Sequence, residues 1–357
     1  MWIIRFLSLL AATATATAVP KTRNITDTTD YTNLTVALVR AAPPGFPAPL
    51  LSRNYTGLAF DLEATLDYGI SLIEEAATNG ANLIVFPELW FPGYPKGADD
   101  DWIVEHVANY IDNSLQIGSG EWNRLLTAAK ENQIYVSLGF SEKTNSSIYM
   151  GLAIISKYGE LLHHRQKLRP SGGERNIWSD GDIHDIQAIA TPYGRWGVLE
   201  CWEHFHPSMT FIMQAQLENL HIAAAPYTPD LKDPDAEYWE TLEVNSAAIR
   251  TYAVNSGAVT LWAGVGYSAV YSKNGLEQAE VLAAVPYDKQ PMLYSSINTT
   301  TFTSDYTYDI NGEQSWGILK QIEDGWPYYI PKVVGTYVLK KTILITDLLA
   351  SNGEVVV

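Results

Sequence analysis

Short apolar runs rich in β-branched residues alternate with segments of helical periodicity along this chain, and this alternation constrains its fold most strongly. Strands separated by helices favour a sheet with parallel strands and helices packed on its faces. The sequence therefore predicts an α/β protein. Predicted strands cover residues 35–39, 83–86, 134–138, 148–155, 161–165, 196–199, 222–225 and 259–262, and predicted helices cover residues 60–79, 121–131, 209–218 and 238–255.

The composition limits the classes of partner. The chain has 357 residues, of which 46% are hydrophobic and 18% are charged, as expected of a folded globule with a substantial core. Its formal net charge of -17 argues against binding to nucleic acid or to an anionic membrane surface. We therefore expect no nucleic acid and no membrane among its partners.

The first residues have the organisation of a secretory signal peptide. Arg5 precedes a short apolar stretch, and Ala16-Thr17-Ala18 matches a signal cleavage pattern. The apolar stretch is shorter than the roughly 20 residues that a transmembrane helix needs. We predict a signal peptide at residues 1–18 and a secreted, extracellular mature protein. Five N-x-[ST] sequences predict N-glycosylation, at Asn24, Asn33, Asn54, Asn145 and Asn298.

Cys201 is the only cysteine in the chain, so it cannot form an intramolecular disulfide. It is a free thiol, a cross-link to another chain, or a catalytic nucleophile. An apolar segment before it predicts a strand that ends at the cysteine, and Trp202, Glu203 and His204 follow directly. An inert core cysteine and a nucleophile both stay open here, because free cysteines are common in protein cores.

Two further reactive residues follow predicted strands. Glu88 comes after an apolar strand, so its carboxyl group is expected to be partly desolvated and its pKa raised toward that of a general base. Lys167 would supply a fixed positive charge for a developing anion. The alternatives are a strand-end acid paired on the surface and a solvated basic loop. A thiolate nucleophile needs a base or a cationic neighbour, and these two residues offer both.

Three extended segments resemble the signature blocks of the nitrilase family and occur in the family's order. They are LIVFPELWFPGYP at residues 83–95, HHRQKLRPSGGERNIWSDGD at 163–182 and GRWGVLECWEHFHP at 194–207. The resemblance spans roughly residues 34–300 and is closer to the true nitrilase branch of the carbon-nitrogen hydrolases than to the amidase branch. It implies a four-layer α-β-β-α sandwich, a single domain over residues 19–357, and homodimers or larger homo-oligomers without a cofactor or a metal.

The resemblance also implies a reaction, the hydrolysis of a nitrile to a carboxylic acid and ammonia. Cys201 would attack the nitrile carbon to give a thioimidate and then a thioester. Glu88 would be the general base, Lys167 would stabilise the charged intermediates, and Glu142 would position Lys167 or the water. Amidase activity and nitrile or cyanide hydratase activity on the same fold are the alternatives within the family.

Other residues complete this prediction or depart from the family pattern. Tyr94 and Trp202 are expected to line the substrate pocket. Nitrilases usually carry a Gly-His-Tyr-Ser-Arg-Pro-Asp segment near the C-terminus, and residues 308–316 differ from it. This departure affects the expected oligomer contacts and the pocket edge rather than the catalytic residues.

Three readings outside the family are weaker. The spacing of Cys201, His204 and His206 does not favour a metal site, and a fourth ligand is missing. A secreted glycosidase with two carboxylates would leave the lone cysteine unexplained. An inactive binding protein on this fold would have no need for Glu88, Lys167 and Cys201 together.

Overall fold

The computed structural model describes residues 32–44, 60–234, 236–281, 285–286, 288–302, 316–329 and 340–350. Its strands are β1 (Asn33–Val39), β2 (Leu83–Val85), β3 (Tyr135–Lys143), β4 (Ile148–Ile155), β5 (Leu161–Gln166), β6 (Ile189–Thr191), β7 (Gly194–Glu200), β8 (Leu220–Ala224), β9 (Val259–Ala263), β10 (Ser268–Tyr271), β11 (Glu277–Val281) and β12 (Met292–Asn298). Its α-helices are α1 (Leu62–Thr78), α2 (Asp100–Asp112), α3 (Gly120–Glu131), α4 (Pro207–Gln214), α5 (Leu242–Ser256), α6 (Trp316–Asp324) and α7 (Ile345–Ala350).

In the described residues these strands form two mixed sheets of the same design. The first has the order β12-β1-β2-β3-β4-β5 and the second the order β11-β10-β9-β8-β7-β6. In each sheet the central strands are parallel, β1-β2-β3 in one and β7-β8-β9 in the other, and antiparallel strands flank them. Parallel neighbours need a crossover, and α1 crosses from β1 to β2, α4 from β7 to β8 and α5 from β8 to β9. The predicted α/β class is confirmed.

Apolar contacts stack these elements in four layers. Leu66 and Ile73 of α1 pack on the outer face of the first sheet, against residues such as Val136. The inner faces of the two sheets meet in a second core, and α5 covers the outer face of the second sheet through Ile249. Each fully buried aliphatic side chain in these cores contributes roughly 1.5–3 kcal/mol to the stability of the fold. The order of the layers confirms the predicted α-β-β-α sandwich.

Two predicted helices differ from the observed ones for local backbone reasons. The helix predicted at 209–218 is α4, which ends at Gln214, and Leu217 after it has a left-handed backbone with φ 55°. The helix predicted at 238–255 begins at Leu242 instead, because Thr241 before it is extended with ψ 161°. Gly257 ends this helix in the left-handed region, with φ 66°.

Helix α2 has no counterpart among the sequence predictions. Asp99 caps its start by accepting a hydrogen bond from the N–H of Trp102 at 3.0 Å. Its buried side chains, among them Ile103, Val107 and Tyr110, recur at three- and four-residue spacing. That spacing is the sequence signal that identifies the helix.

Several predictions concern residues outside the described ranges. The signal peptide at residues 1–18, the sequons at Asn24 and Asn54 and most of the unusual segment 308–316 belong to this group. The single domain over residues 19–357 stays a prediction. None of the helices in the described ranges is long and apolar enough to cross a membrane.

Candidate active site

Glu88, Lys167 and Cys201 come together where strands of both sheets end. Glu88 follows β2, Lys167 follows β5 of the same sheet, and Cys201 follows β7 of the other sheet. The N–H of Glu88 donates to the carbonyl oxygen of Ala225, just beyond β8, at 3.3 Å. This hydrogen bond joins the tip of one sheet to the tip of the other, so the layered fold itself assembles the site.

The ammonium group of Lys167 lies between two carboxylates. Its Nζ donates to Glu88 Oε1 and to Glu174 Oε2, each at 2.8 Å. The side chains of Lys167 and Glu88 are fully buried. Burial disfavours the charged amine, but the carboxylates of Glu174 and Glu88 hold the pKa of Lys167 well above its usual value. Lys167 therefore provides a permanent positive charge.

Glu88 has the protonation behaviour of a general base near neutral pH. Burial raises its pKa, Lys167 opposes this shift and Glu174 adds to it, which gives a pKa of about 7. Burial and the charge of Glu88 also raise the pKa of the Cys201 thiol well above its usual value, although Lys167 works in the other direction. At neutral pH the site therefore holds a thiol next to a carboxyl group that is able to take its proton.

The backbone that carries Cys201 has an uncommon conformation. Cys201 begins a 3-10 turn with φ 36°, in the left-handed region that few non-glycine residues adopt. Glu203 fixes this turn, because its carboxylate accepts two hydrogen bonds from Arg165 at 2.6 Å and one each from the N–H groups of Leu168 and Glu200. Burial opposes the charge of Glu203, but Arg165 and these N–H groups lower its pKa to about 2.

Glu142 does not contact Lys167, which is one of the two partners predicted for it from the sequence. Its Oε2 is hydrogen-bonded to His164 Nε2 and to Gln166 Nε2, both at 2.9 Å. Side chains alternate between the two faces of a strand, so Gln166 and Lys167 point in opposite directions. Glu142 follows Phe140 on the face that the helices cover, whereas Lys167 follows Arg165, which reaches the second sheet. Glu142 is thus separated from the site by the sheet.

Glu174 is the second carboxylate at Lys167, and it is not among the site residues predicted from the sequence. It lies in a 3-10 turn over Gly172–Asn176. Its Oε2 accepts a hydrogen bond from the N–H of Ser171 at 2.6 Å, and its Oε1 accepts one from the hydroxyl of Tyr94 at 2.5 Å. The spacing of Ser171 and Glu174 matches a capping box, which is the signal that reveals this turn in the sequence. Tyr94 therefore holds a charged group of the site as well as lining the cavity.

A cavity of about 1170 Å³ opens above Cys201. Tyr94, Trp202, Tyr227 and Trp239 form an aromatic part of its wall, and charged and polar residues form another part. Trp202 stacks on Phe205 with ring centroids 4.1 Å apart and meets Trp239 edge to face at 5.4 Å. Its polar lining includes an ion pair of 2.6 Å between Lys96 and Glu240. A cavity of this kind suits a small molecule with an apolar body and one reactive polar group.

Comparison with known proteins identifies the family. A family model described as carbon-nitrogen hydrolase matches residues 35–301, which is most of the chain. The chain belongs to the carbon-nitrogen hydrolase family. The matched region contains the three signature-like segments, so the resemblance predicted from the sequence is confirmed. Glu88, Lys167, Glu174 and Cys201 all lie within it.

Relatives of this carbon-nitrogen hydrolase are named after different substrates. It is 38% identical over 229 residues to an arylacetonitrilase of Hypocrea virens, covering 62% of this chain and 67% of the relative. It is 34% identical over 266 residues to an aliphatic nitrilase of Rhodococcus rhodochrous, covering 67% and 68%. It is 37% identical over 212 residues to a cyanide hydratase of Alternaria brassicicola, covering 57% and 58%. The matches thus span about two thirds of these relatives, or somewhat less.

Solved structures support the fold of this carbon-nitrogen hydrolase. An amidase from Nesterenkonia sp. superposes with a TM-score of 0.60 at 16% identity, covering 83% of this chain and 97% of the amidase. Nit3 of Saccharomyces cerevisiae, a member of the nitrilase superfamily, superposes with a TM-score of 0.57 at 17% identity, covering 76% and 92%. At such low identity these likenesses concern the fold alone.

Proposed function

We propose that the protein hydrolyses organic nitriles to carboxylic acids and ammonia, with Cys201 as the nucleophile. The proposal rests on the buried cluster in which Lys167 lies 2.8 Å from both Glu88 and Glu174, next to the thiol at the cavity. This cluster supplies a base, a fixed cation and a nucleophile in one place. The similarity to relatives named arylacetonitrilase and aliphatic nitrilase supports a nitrile as the substrate.

In the first half of the reaction the thiol adds to the nitrile. Glu88 takes the proton of Cys201, and the sulfur attacks the nitrile carbon while the triple bond opens. Negative charge develops on the nitrile nitrogen, where the ammonium group of Lys167 stabilises it, and the nitrogen then receives the proton that Glu88 removed. The product of this half is a neutral thioimidate.

In the second half two water molecules are consumed. Glu88 deprotonates the first water, which adds to the thioimidate carbon and gives a tetrahedral species. Protonation of its nitrogen allows ammonia to leave and forms a thioester on Cys201. The second water hydrolyses this thioester, and the departing sulfur recovers a proton, so that the acid is released and the free thiol returns. If the sulfur leaves the first tetrahedral species instead of ammonia, an amide is released.

The size and lining of the cavity favour organic nitriles over cyanide. A volume of about 1170 Å³ with Tyr94, Trp202 and Trp239 in its wall suits an aromatic or extended apolar body. Hydrogen cyanide, the substrate named for the cyanide hydratase relative, would leave almost all of this surface without contacts. We therefore place arylacetonitriles and larger aliphatic nitriles before cyanide.

A product screen tests the proposal. Phenylacetonitrile, benzonitrile, an aliphatic nitrile and cyanide are incubated with the purified full chain, and acid, amide and ammonia are quantified. We expect acid and ammonia in equal amounts from an organic nitrile, and a covalent adduct on Cys201 in quenched samples by mass spectrometry. Cys201→Ala is expected to be folded and inactive. Turnover by Cys201→Ala, or release of formamide from cyanide as the main activity, would overturn the proposal.

We also propose that the protein is secreted and N-glycosylated. Among the sequons in the described residues, Asn33, Asn145 and Asn298 have exposed side chains, which supports their modification. Protein secreted by a eukaryotic host should begin near Val19 and lose mass on treatment with an N-glycosidase. An intact N-terminus together with an unchanged mass would rule this out.

We further propose that the protein forms homodimers or larger homo-oligomers. Ile318, Leu319 and Ile322 of α6 have exposed side chains, and so does Trp326 after it. Apolar side chains grouped on one helix commonly mark a protein contact. Light scattering should give a mass above that of the monomer, and Ile318→Glu with Ile322→Glu should lower it. A monomeric wild-type protein would refute this.

A further inference from the structure

A chain of buried polar side chains reaches Cys201 from the side of α5. Tyr252 of α5 donates its hydroxyl proton to Glu218 Oε1, and Glu218 Oε2 lies 2.9 Å from His221 Nδ1. His221 Nε2 lies 2.9 Å from His204 Nε2, and His204 Nδ1 lies 2.8 Å from the carbonyl oxygen of Cys201. Glu218, His221 and His204 are all buried. The reaction described above uses none of them.

The hydrogen-bond pattern determines where the protons lie. The carbonyl of Cys201 can only accept, so Nδ1 of His204 is the donor. Burial and the neighbouring His221 lower the pKa of His204 to about 3, which leaves its ring neutral and its Nε2 an acceptor. Nε2 of His221 must then donate, and a single proton lies between His221 Nδ1 and Glu218. The hydrogen bonds of this chain of side chains therefore all donate in one direction, from His221 through His204 toward the carbonyl oxygen of Cys201.

Strand β7 leaves space for this chain of hydrogen-bonded side chains. Gly197 of β7 lies beside His221 in the ladder between β7 and β8. A Cβ atom at position 197 would lie 1.8 Å from Glu218 Oε2 and 2.7 Å from the sulfur of Met213. Any side chain at this position would therefore displace the carboxylate. The glycine shows that the strand leaves space for Glu218 next to His221.

We propose that Glu218 and His221, acting through His204, position the nucleophile by holding the carbonyl of Cys201 in its left-handed turn. This inference rests on the proposed role of Cys201 in nitrile hydrolysis. The peptide group is planar, so fixing the carbonyl also fixes the plane between Cys201 and Trp202. Together with φ of 36°, this plane sets the direction in which the thiol leaves the backbone toward Glu88 and Lys167. Glu218, His221 and His204 are positioning residues, because none of them touches the reacting atoms.

Two substitutions at position 218 separate positioning from charge. Glu218→Gln keeps an acceptor for Tyr252 and places an N–H donor toward His221 Nδ1, so it preserves the direction of the chain without a charge. Glu218→Leu removes both links. His204→Phe keeps the ring and removes the last donor, which provides a second test if the leucine variant does not fold. Tyr271→Phe is the control, because it removes a buried hydroxyl on β10 that bonds Tyr267 and has no contact with the chain.

The readouts are the alkylation rate of Cys201 by iodoacetamide, kcat and KM for phenylacetonitrile, and the midpoint of thermal unfolding. Cys201 is the only cysteine, so the mass increment reports on it directly. We expect Glu218→Leu and His204→Phe to lower both the alkylation rate and kcat at least tenfold, with KM within threefold of wild type. Glu218→Gln and Tyr271→Phe should stay within threefold in both.

Three outcomes would overturn the inference. The first is a folded Glu218→Leu or His204→Phe variant with wild-type alkylation and kcat. The second is a Glu218→Gln variant that is as impaired as Glu218→Leu. The third is failure of both disruptive variants to fold, which would mean that these hydrogen-bonded side chains serve stability instead. A wild-type protein whose thiol is alkylated but which turns over no nitrile would refute the proposed function alone. The alkylation rates would still decide the positioning role in that case.

Discussion

At the scale of single residues, the site depends on how two carboxylates share one ammonium group. Glu88 and Glu174 both contact Lys167, and the charge of Glu174 raises the pKa of Glu88. Glu88 must exchange protons near neutral pH, whereas Glu174 is held by the hydroxyl of Tyr94 and the N–H of Ser171. Glu174 therefore adjusts the pKa of the base and holds Lys167, and Glu88 moves the proton.

Replacing Glu174 with glutamine should slow turnover and shift its dependence on pH. The substitution removes a negative charge that raises the pKa of Glu88, and it leaves Lys167 paired more strongly with Glu88. Both effects lower the pKa of Glu88 below about 7, so the acid limb of kcat/KM should move to lower pH. Because Lys167 then keeps a carboxylate partner on one side only, its position is less well fixed and kcat should fall about 100-fold. Initial rates measured between pH 5 and pH 9 check both effects.

Glu142→Gln is the matched control for this prediction. Glu142 bonds His164 and Gln166 on the other face of the sheet, so we expect kcat within about threefold of wild type and an unchanged acid limb. If the losses were reversed between the two variants, Glu142 would be the supporting carboxylate after all.

The sequence indicated three of the four charged or nucleophilic groups that meet at the site. Glu88, Lys167 and Cys201 each stand directly after a recognisable strand within a long motif, and this information is local. Whether Glu142 or Glu174 reaches Lys167 depends on the face of the sheet toward which the lysine points just after β5, and on how β3, β4 and β5 pair. That register relates three separate strands to one another, and no pattern within one strand reveals it.

At the scale of elements, the tip of β2 is shaped by close contact with β3. Gly139 lies beside the segment that carries Glu88, and a Cβ atom there would be 2.4 Å from the carbonyl oxygen of Pro87 and 2.9 Å from Cα of Glu88. Both atoms belong to the backbone and cannot rotate away. The absence of a side chain in the middle of β3 therefore determines how closely the backbone of Glu88 approaches β3.

Gly139→Ala should damage catalysis more than stability. Overpacking of this kind costs about 1–3 kcal/mol, whereas a displacement of Glu88 by about 1 Å can lower the rate roughly 100-fold. We expect kcat to fall at least tenfold while the protein stays folded, as measured by circular dichroism and steady-state kinetics. Gly120→Ala at the start of α3 meets nothing within 4 Å and should behave as wild type. Equal rates for both variants would show that the turn absorbs the clash.

The elements themselves were predictable where periodicity was strong. The centres of β1 to β5 and of β7 to β9, together with α1, follow directly from their patterns, whereas β6 and β10 to β12 were not predicted. The start of α5 was not predictable, because the periodic spacing continues through the 3-10 turn at Tyr238–Glu240 and only the extended backbone of Thr241 separates the two. Element ends of this kind are decided by tertiary contacts, which local propensity does not contain.

At the scale of the whole molecule, burial between the sheets makes stability depend on pH. His163 of β5 pairs with Ile154, which belongs to the core between the sheets, and its Nε2 has no partner among the described residues. Burial and the charge of Arg165 lower its pKa to about 4. Below pH 6.5 the unfolded chain binds a proton that the folded chain does not take up until about pH 4.

The free energy of unfolding should therefore fall as the pH drops from 6.5 to 4, with a share on the order of 3 kcal/mol from His163. His163→Leu removes this share, so its stability should decrease less across the same interval. Urea unfolding at several pH values measures the difference. The exposed His206 provides the control, and His206→Leu should keep the wild-type slope. A wild-type slope in His163→Leu as well would show that other groups cause the acid sensitivity.

The hydrogen bond from Glu88 to Ala225 gives the layered architecture a functional meaning. The base and the cation belong to one sheet and the nucleophile to the other, so the reacting groups meet across the interface between the two sheets. A slight sliding of one layer over the other would part these groups while every strand kept its own ladder. The rate of turnover therefore depends on how the two sheets are aligned. Substitutions in the core between the sheets can abolish activity although the replaced residues do not contact the substrate.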